Sequence, residues 1–134
     1  MGCKGALLAP LALMGCVEVL PAPVDGVDTD VTPNEYLGVE TALLDSDLVQ
    51  FRVAMRGADT SEELQAYTDC AAAQYAAIRD FGFARRVRLA SEVQGGISRA
   101  DAVYTISQDE PAGVNLIDAG LMLQVCAFEG IPTV

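Results

Sequence analysis

Five of the eight cations in this chain, Arg79, Arg85, Arg86, Arg88 and Arg99, fall within residues 79–99 of a sequence that carries 19 acids. Arg86 and Arg88 are two apart, so on a regular strand they project from one face about 7 Å from each other, close enough to grip one carboxylate or phosphate group. They form the candidate anion-binding pair. The competing reading is ordinary surface charge, with the arginines paired to Asp80, Glu92, Asp101 or the acidic N-terminal stretch, because exposed ion pairs mostly solvate a face. The second chemistry open to the chain is acid–base work by carboxylates, with Asp101, Asp109, Glu110 and Asp118 as the available groups.

What the sequence lacks narrows the choice. It has no histidine, which removes the commonest general base and metal ligand. It has no G-x-S-x-G elbow, phosphate loop or zinc spacing, and the acidic "DGVDTD" of Asp25–Asp30 lacks the alternating ligands and distant Glu of a calcium loop. No catalytic residue, metal or cofactor is therefore expected. Nineteen acids bring carboxylates together by chance, so the leading reading is a non-enzymatic binding or structural role, and a small carboxylate-based hydrolase is the alternative. A net charge of −11 argues against nucleic acid as a partner, since phosphate contacts need positive surface.

The four cysteines point to a compartment. Lys4 precedes an apolar run from Ala6 to Met14, the layout of a secretory signal, and the run is too short for a spanning helix of about 20 residues. A core element is the bland alternative, but Pro10 and the Gly-Cys that follows fit it poorly. Leu13-Met14-Gly15-Cys16 resembles the lipobox of bacterial lipoproteins, in which the cysteine becomes the first mature residue and carries lipid. Met1-Gly2-Cys3 also suggests N-myristoylation, but Ala6 stands where that motif wants Ser or Thr. With Cys3 removed and Cys16 lipidated, Cys70 and Cys126 remain as a pair in an oxidising compartment, so one disulfide is expected, with two buried thiols as the alternative. Cleavage would also remove Lys4 and no acid, leaving only arginines as cations.

Residues 1–15 thus read as a signal peptide. Residues 16–47, with Pro21, Pro23, Pro33, eight acids and no cation, read as an extended acidic tether, although "YLGVETALL" within it admits a short strand or helical turn. Residues 48–134 read as the folded domain. There Val49, Phe51, Val53 and Met55 alternate as on a half-buried strand. Thr60 and Glu63 form a capping box for a helix with the apolar stripe Leu64, Tyr67, Ala71, Tyr75 and Ile78, and Gly82 suits the left-handed position at its end.

Phe83, Val87, Leu89 and Val93 alternate with Arg86, Arg88 and Glu92 on a second strand. A glycine turn leads to a third, with Ala102, Tyr104 and Ile106 on one face. Residues 115–129 are ambiguous and lean to strand. The expected fold is α+β: a two-layer domain with one main helix on a mostly antiparallel sheet of three to four strands, in the order β-α-β-β-β. The expected disulfide then joins helix to last strand.

The stretches "YTDCAAAQYAAIRDFGFARRVRL", "ADAVYTIS" and "CAFEGIPTV", together with the lipobox, resemble small lipoproteins of Gram-negative alphaproteobacteria. The resemblance covers about the last 70 residues and implies an envelope location without assigning any catalytic residue; the partners expected are the membrane, through the lipid on Cys16, and an envelope protein bound by the domain. In such lipoproteins Asp after the lipidated cysteine favours inner-membrane retention. Val17 stands there, so the outer membrane is favoured. Cells fed a clickable fatty acid should label the wild-type protein and not Cys16→Ser; equal labelling of both would exclude the anchor.

Overall fold

The computed structural model describes residues 34–58 and 61–133. Cys16, the expected cleavage site, the tether as far as residue 33, and Thr60 of the expected capping box lie outside the described residues. The elements run β1 (Glu35–Asp45), β2 (Leu48–Arg56), α1 (Ser61–Ile78), β3 (Phe83–Gln94), β4 (Ile97–Ser107), β5 (Leu116–Asp118) and α2 (Ala119–Glu129). All five strands join one sheet in the order β1-β2-β4-β3-β5, every neighbouring pair antiparallel. The expectation of one main helix on three to four strands is corrected to a five-stranded sheet with two helices.

The first correction concerns β1, which lies within the stretch read as tether and takes up the short strand that "YLGVETALL" admits there. It pairs with β2 from Glu35↔Arg56 to Asp45↔Leu48, but its register shifts at Leu37 and again at Leu44. Two bulges in eleven residues break the period-two alternation by which a strand is recognised. Its acids do not keep it out of the sheet because Arg56 on β2 meets Glu35 at 2.8 Å and Arg52 approaches Glu40 at 4.0 Å.

The second correction concerns residues 115–129. Only Leu116–Asp118 is strand, and α2 follows directly. The Asp118 carboxylate caps the helix by accepting from the Leu121 N–H at 3.1 Å. Gly130 ends it at φ 72, where its N–H reaches the Ala127 carbonyl and the Ile131 N–H reaches that of Cys126, the two bonds of a left-handed helix stop that glycine adopts without a Cβ penalty. The same stop closes α1, but with Asp80 (φ 65) in the left-handed position and not Gly82: Asp80 N–H bonds to Ala77 and Phe81 N–H to Ala76. Of the expected stripe, Leu64, Tyr67 and Ala71 are buried, while Ile78, the last residue of α1, is 66% exposed.

One sheet face carries the core. Val49, Phe51, Ala84, Ala102, Tyr104 and Ile106 pack against Ala71, Ala72, Ala73 and Ala76 of α1. Alanine on the helix and large residues on the strands let the two layers approach closely while the rings fill the gap. Phe51 sits edge-on to Tyr75 and Tyr104, with ring centroids 5.8 and 5.7 Å apart. A second cluster of Val53, Met55, Leu64, Tyr67 and Ala100 closes the other end, with Tyr36 of β1 and Ile131 against it. Met122 and Leu123 of α2 reach the first cluster. Cys70 and Cys126 are bonded to one another with Cα atoms 6.0 Å apart, so the bridge joins helix to helix, not helix to strand. None of the helices among the described residues is long and apolar enough to cross a membrane.

The bridge closes a loop between residues 56 positions apart, and in the chain-entropy account such a crosslink stabilises by about 4 kcal/mol. Urea unfolding of the variant with both Cys70→Ser and Cys126→Ser should fall below wild type by up to about that amount. An unchanged midpoint would mean that α2 is held by packing alone.

Candidate functional site

A bulge in β3 sets the two sides of the sheet apart. Arg86 pairs with Tyr104 of β4 and Arg88 with Val103, so Val87 is the extra residue between them. An inserted residue resets the alternation, and the two arginines consequently leave the sheet from opposite faces. This corrects the expectation that they grip one anion together. Arg86 turns toward α1 and meets Asp69 at 2.7 Å, both side chains nearly buried at 12% and 11% exposure. Arg88 turns to the open face and meets Asp101 at 2.8 Å. Each has its own carboxylate.

Beneath α1 the Asp69 carboxylate also accepts the Tyr104 hydroxyl in a short hydrogen bond. Thr68 Oγ1 lies 3.0 Å from Tyr104 Oη and donates to the Gln65 carbonyl at 2.9 Å. Burial pushes the Asp69 carboxyl above its ordinary value, against the pull of Tyr104 and Arg86. Burial likewise pushes the Tyr104 hydroxyl up, with the Asp69 charge adding to it. For Arg86 burial opposes the charge, but Asp69 and Tyr104 outweigh it and hold the guanidinium above its usual range. The group is a buried polar tie between helix and sheet.

The open face is organised differently. Asp101 of β4 is its hub: Gln50 Nε2 donates to both carboxylate oxygens at 2.9 Å, Arg88 donates at 2.8 Å and Arg52 at 3.5 Å. With Glu40 against Arg52, a row crosses four strands in the order Glu40, Arg52, Asp101, Arg88, alternating in sign. A concavity of about 730 Å³ lies along this row, with Gly38, Ala54 and Ala90 between the charged side chains. Arg99 also lines it and has no carboxylate within 4.0 Å among the described residues. Sequence reasoning named Arg88 but missed Gln50, Arg52 and Glu40. The signal was present in Gln50 and Arg52, which occupy the polar positions of an alternating strand.

The other arginines of the cluster go elsewhere. Arg79 donates to the Tyr75 hydroxyl at 2.6 Å with its guanidinium over the ring, and Arg85 lies against Gly113. Nor does Asp101 meet Asp118, the other strand carboxylate of the hydrolase alternative. Asp101 pairs with Ala90 of β3, whereas Asp118 pairs with Phe83 and caps α2, a separation of roughly 20 Å along that strand. Asp109 follows β4, where its carbonyl accepts from Ser107 Oγ, and exposed Glu110 is its neighbour.

Residues 36–130 match the YNQ4 C-terminal domain family. The chain belongs to that family. The match begins within β1 and ends on the glycine that stops α2, so it takes in the sheet but for Glu35, both helices and the open face. The chain is also 28% identical over 112 residues to a protein of Paracoccus denitrificans described as an uncharacterized 26.9 kDa protein in the nqo8 5′ region. The aligned part is 79% of this chain and 44% of that protein, so the chain spans less than half of its relative's length. No solved structure matches.

The buried tie predicts a pH dependence with a definite sign. Because the folded state holds Asp69 above its unfolded value, it binds that proton more tightly than the unfolded chain does. The contribution is therefore fully present below about pH 4, the ordinary carboxylate value, and is lost as pH rises through the raised one. In urea titrations the stability of wild type minus that of Asp69→Asn should fall with rising pH over this window; a flat or rising difference would contradict the assignment. At neutral pH Asp69→Ala, which strands Arg86, should cost about 3 kcal/mol.

Proposed function

We propose that this protein is a membrane-anchored bacterial envelope lipoprotein of the alphaproteobacterial kind, and that its folded domain is a non-enzymatic binding module working through the open face of the sheet. The observation that carries the reading is the asymmetry of that sheet. α1 covers one face, α2 packs on α1 and β5, and the opposite face keeps an ordered row of charges around a concavity floored by glycine and alanine. A face that only needed solubility has no use for a carboxylate held by three donors, since scattered exposed charge serves that purpose. A floor of small residues leaves room for a partner's side chains between preset polar groups, which is how a binding surface combines fit with orientation.

The anchor is proposed from the sequence: the apolar run ending at Gly15-Cys16 supports lipidation at Cys16, and Val17 supports the outer membrane. The partner is an envelope protein. The separation of Asp101 from Asp118 and Asp109 leaves the hydrolase alternative without Asp101 in a shared site, and among the described residues no cluster of acids or cysteines is arranged to hold a metal ion.

A photo-crosslinking residue placed in intact cells at Ala54 or at Ala90, both in the concavity, should trap the same protein. The same residue at Ala77, exposed on α1, should not trap it. Trapping from Ala77 alone, or from none of the three, would overturn the reading.

A further inference from the structure

We propose that the free edge of β1 accepts an extended segment of another polypeptide as a sixth strand, and that this segment sets Lys or Arg beside Glu40 with apolar residues beside Val39 and Leu43. The inference rests on the binding reading above and names the class of partner.

Three observations lead to it. β1 is the outermost strand, paired within the sheet only with β2 among the described residues, and apart from Gly38, whose backbone meets the Tyr67 hydroxyl of α1, its regular stretch lies open along the edge. Between its two bulges, Gly38–Leu43 keeps regular register, from Gly38↔Ala54 to Leu43↔Val49. In such a stretch every second residue points its N–H and C=O away from the sheet, ready to pair. The stretch holds no proline, lysine or arginine, residues by which native edges are commonly blunted. The bulges flank it and so mark out where an added strand fits.

The second observation is the order of charge. Across the open face the row reads acid, base, acid, base from Glu40 to Arg88. Each strand is thus matched in sign to the next, the arrangement that stabilises directly opposed side chains. The row stops at Glu40, which is 81% exposed and touches Arg52 only at 4.0 Å. Continuing it outward calls for a cation.

The third observation selects between partners. β1 carries Glu35, Glu40 and Asp45 and no cation, so pairing the edges of two copies would set acids against acids, which destabilises. The net charge of −11 repels a second copy and draws in a basic segment. On the helix side of the strand, Val39 borders the core and Leu43 is half exposed, so apolar residues four apart in the added strand would cover both. A strand that alternates apolar with basic residues satisfies all of these at once.

The probe is a short, terminally blocked peptide alternating valine and arginine, compared with two controls: glutamate in place of arginine, and methylation of alternate peptide nitrogens. The arginine peptide should bind, more weakly as salt rises, and should slow amide exchange at outward-facing residues within Gly38–Leu43. The methylated peptide, with charge intact but donors removed, should not bind, nor should the glutamate peptide. Glu40→Lys should weaken binding about tenfold, as an attraction becomes a repulsion, while Glu62→Lys at the exposed start of α1 should leave it unchanged. Equal binding of the methylated peptide would overturn edge pairing and leave the open-face reading standing. Protection of Gly38–Leu43 without crosslinks from Ala54 or Ala90 would do the reverse. No binding at millimolar peptide, or protection of Gly38–Leu43 by self-association of the protein alone, would overturn the proposal.

Discussion

The architecture depends on one buried ion pair, Asp69 of α1 with Arg86 of β3, completed by the Tyr104 hydroxyl. Removing both charges from water costs several kcal/mol per ion before their attraction returns any of it, so the pair survives only in a geometry that leaves few hydrogen-bonding positions empty. That geometry fixes three things together. α1 must lie over β3 and β4, Arg86 must point inward, and Tyr104 must stand upright in the middle of the core beside Phe51. An apolar core of alanines would tolerate sliding of the helix along the sheet. A buried pair of this kind does not.

The bulge at Val87 follows from the same requirement. Without it Arg86 and Arg88 would share a face, and one would be lost to its layer. With it, successive arginines serve the two sides of one strand: Arg86 ties down the helix and Arg88 completes the row around Asp101. The inner and outer faces are thereby served by two neighbouring arginines of one strand.

The disulfide does a different job. Packed on α1 and β5, with Met122 and Leu123 reaching the core, α2 leaves Leu121, Val125 and Phe128 exposed. Such a short helix is marginal by itself in water. Its two caps, Asp118 and Gly130, make it helical, and the bond from Cys126 to Cys70 keeps it in place. The bridge therefore acts within the helical layer and leaves the open face of the sheet untouched.

Local chemistry was legible in the residues themselves. The alternation of Val49, Phe51, Val53 and Met55 and of Ala102, Tyr104 and Ile106, the helical stripe from Leu64 to Ala71 and the glycine turn before Ile97 each rest on contacts within a few positions, and the sequence alone located these elements. Asp118 and Gly130 bracket α2 as plainly, but the apolar alternation between them suits a strand equally well. The bulges at Leu37, Leu44 and Val87 were not legible, because a bulge is chosen by what the partner strand and the far side of the sheet require. They decided that β1 belongs to the domain and that Arg86 and Arg88 part company. The row from Glu40 to Arg88 joins residues up to 61 positions apart, a juxtaposition that only the folded register creates.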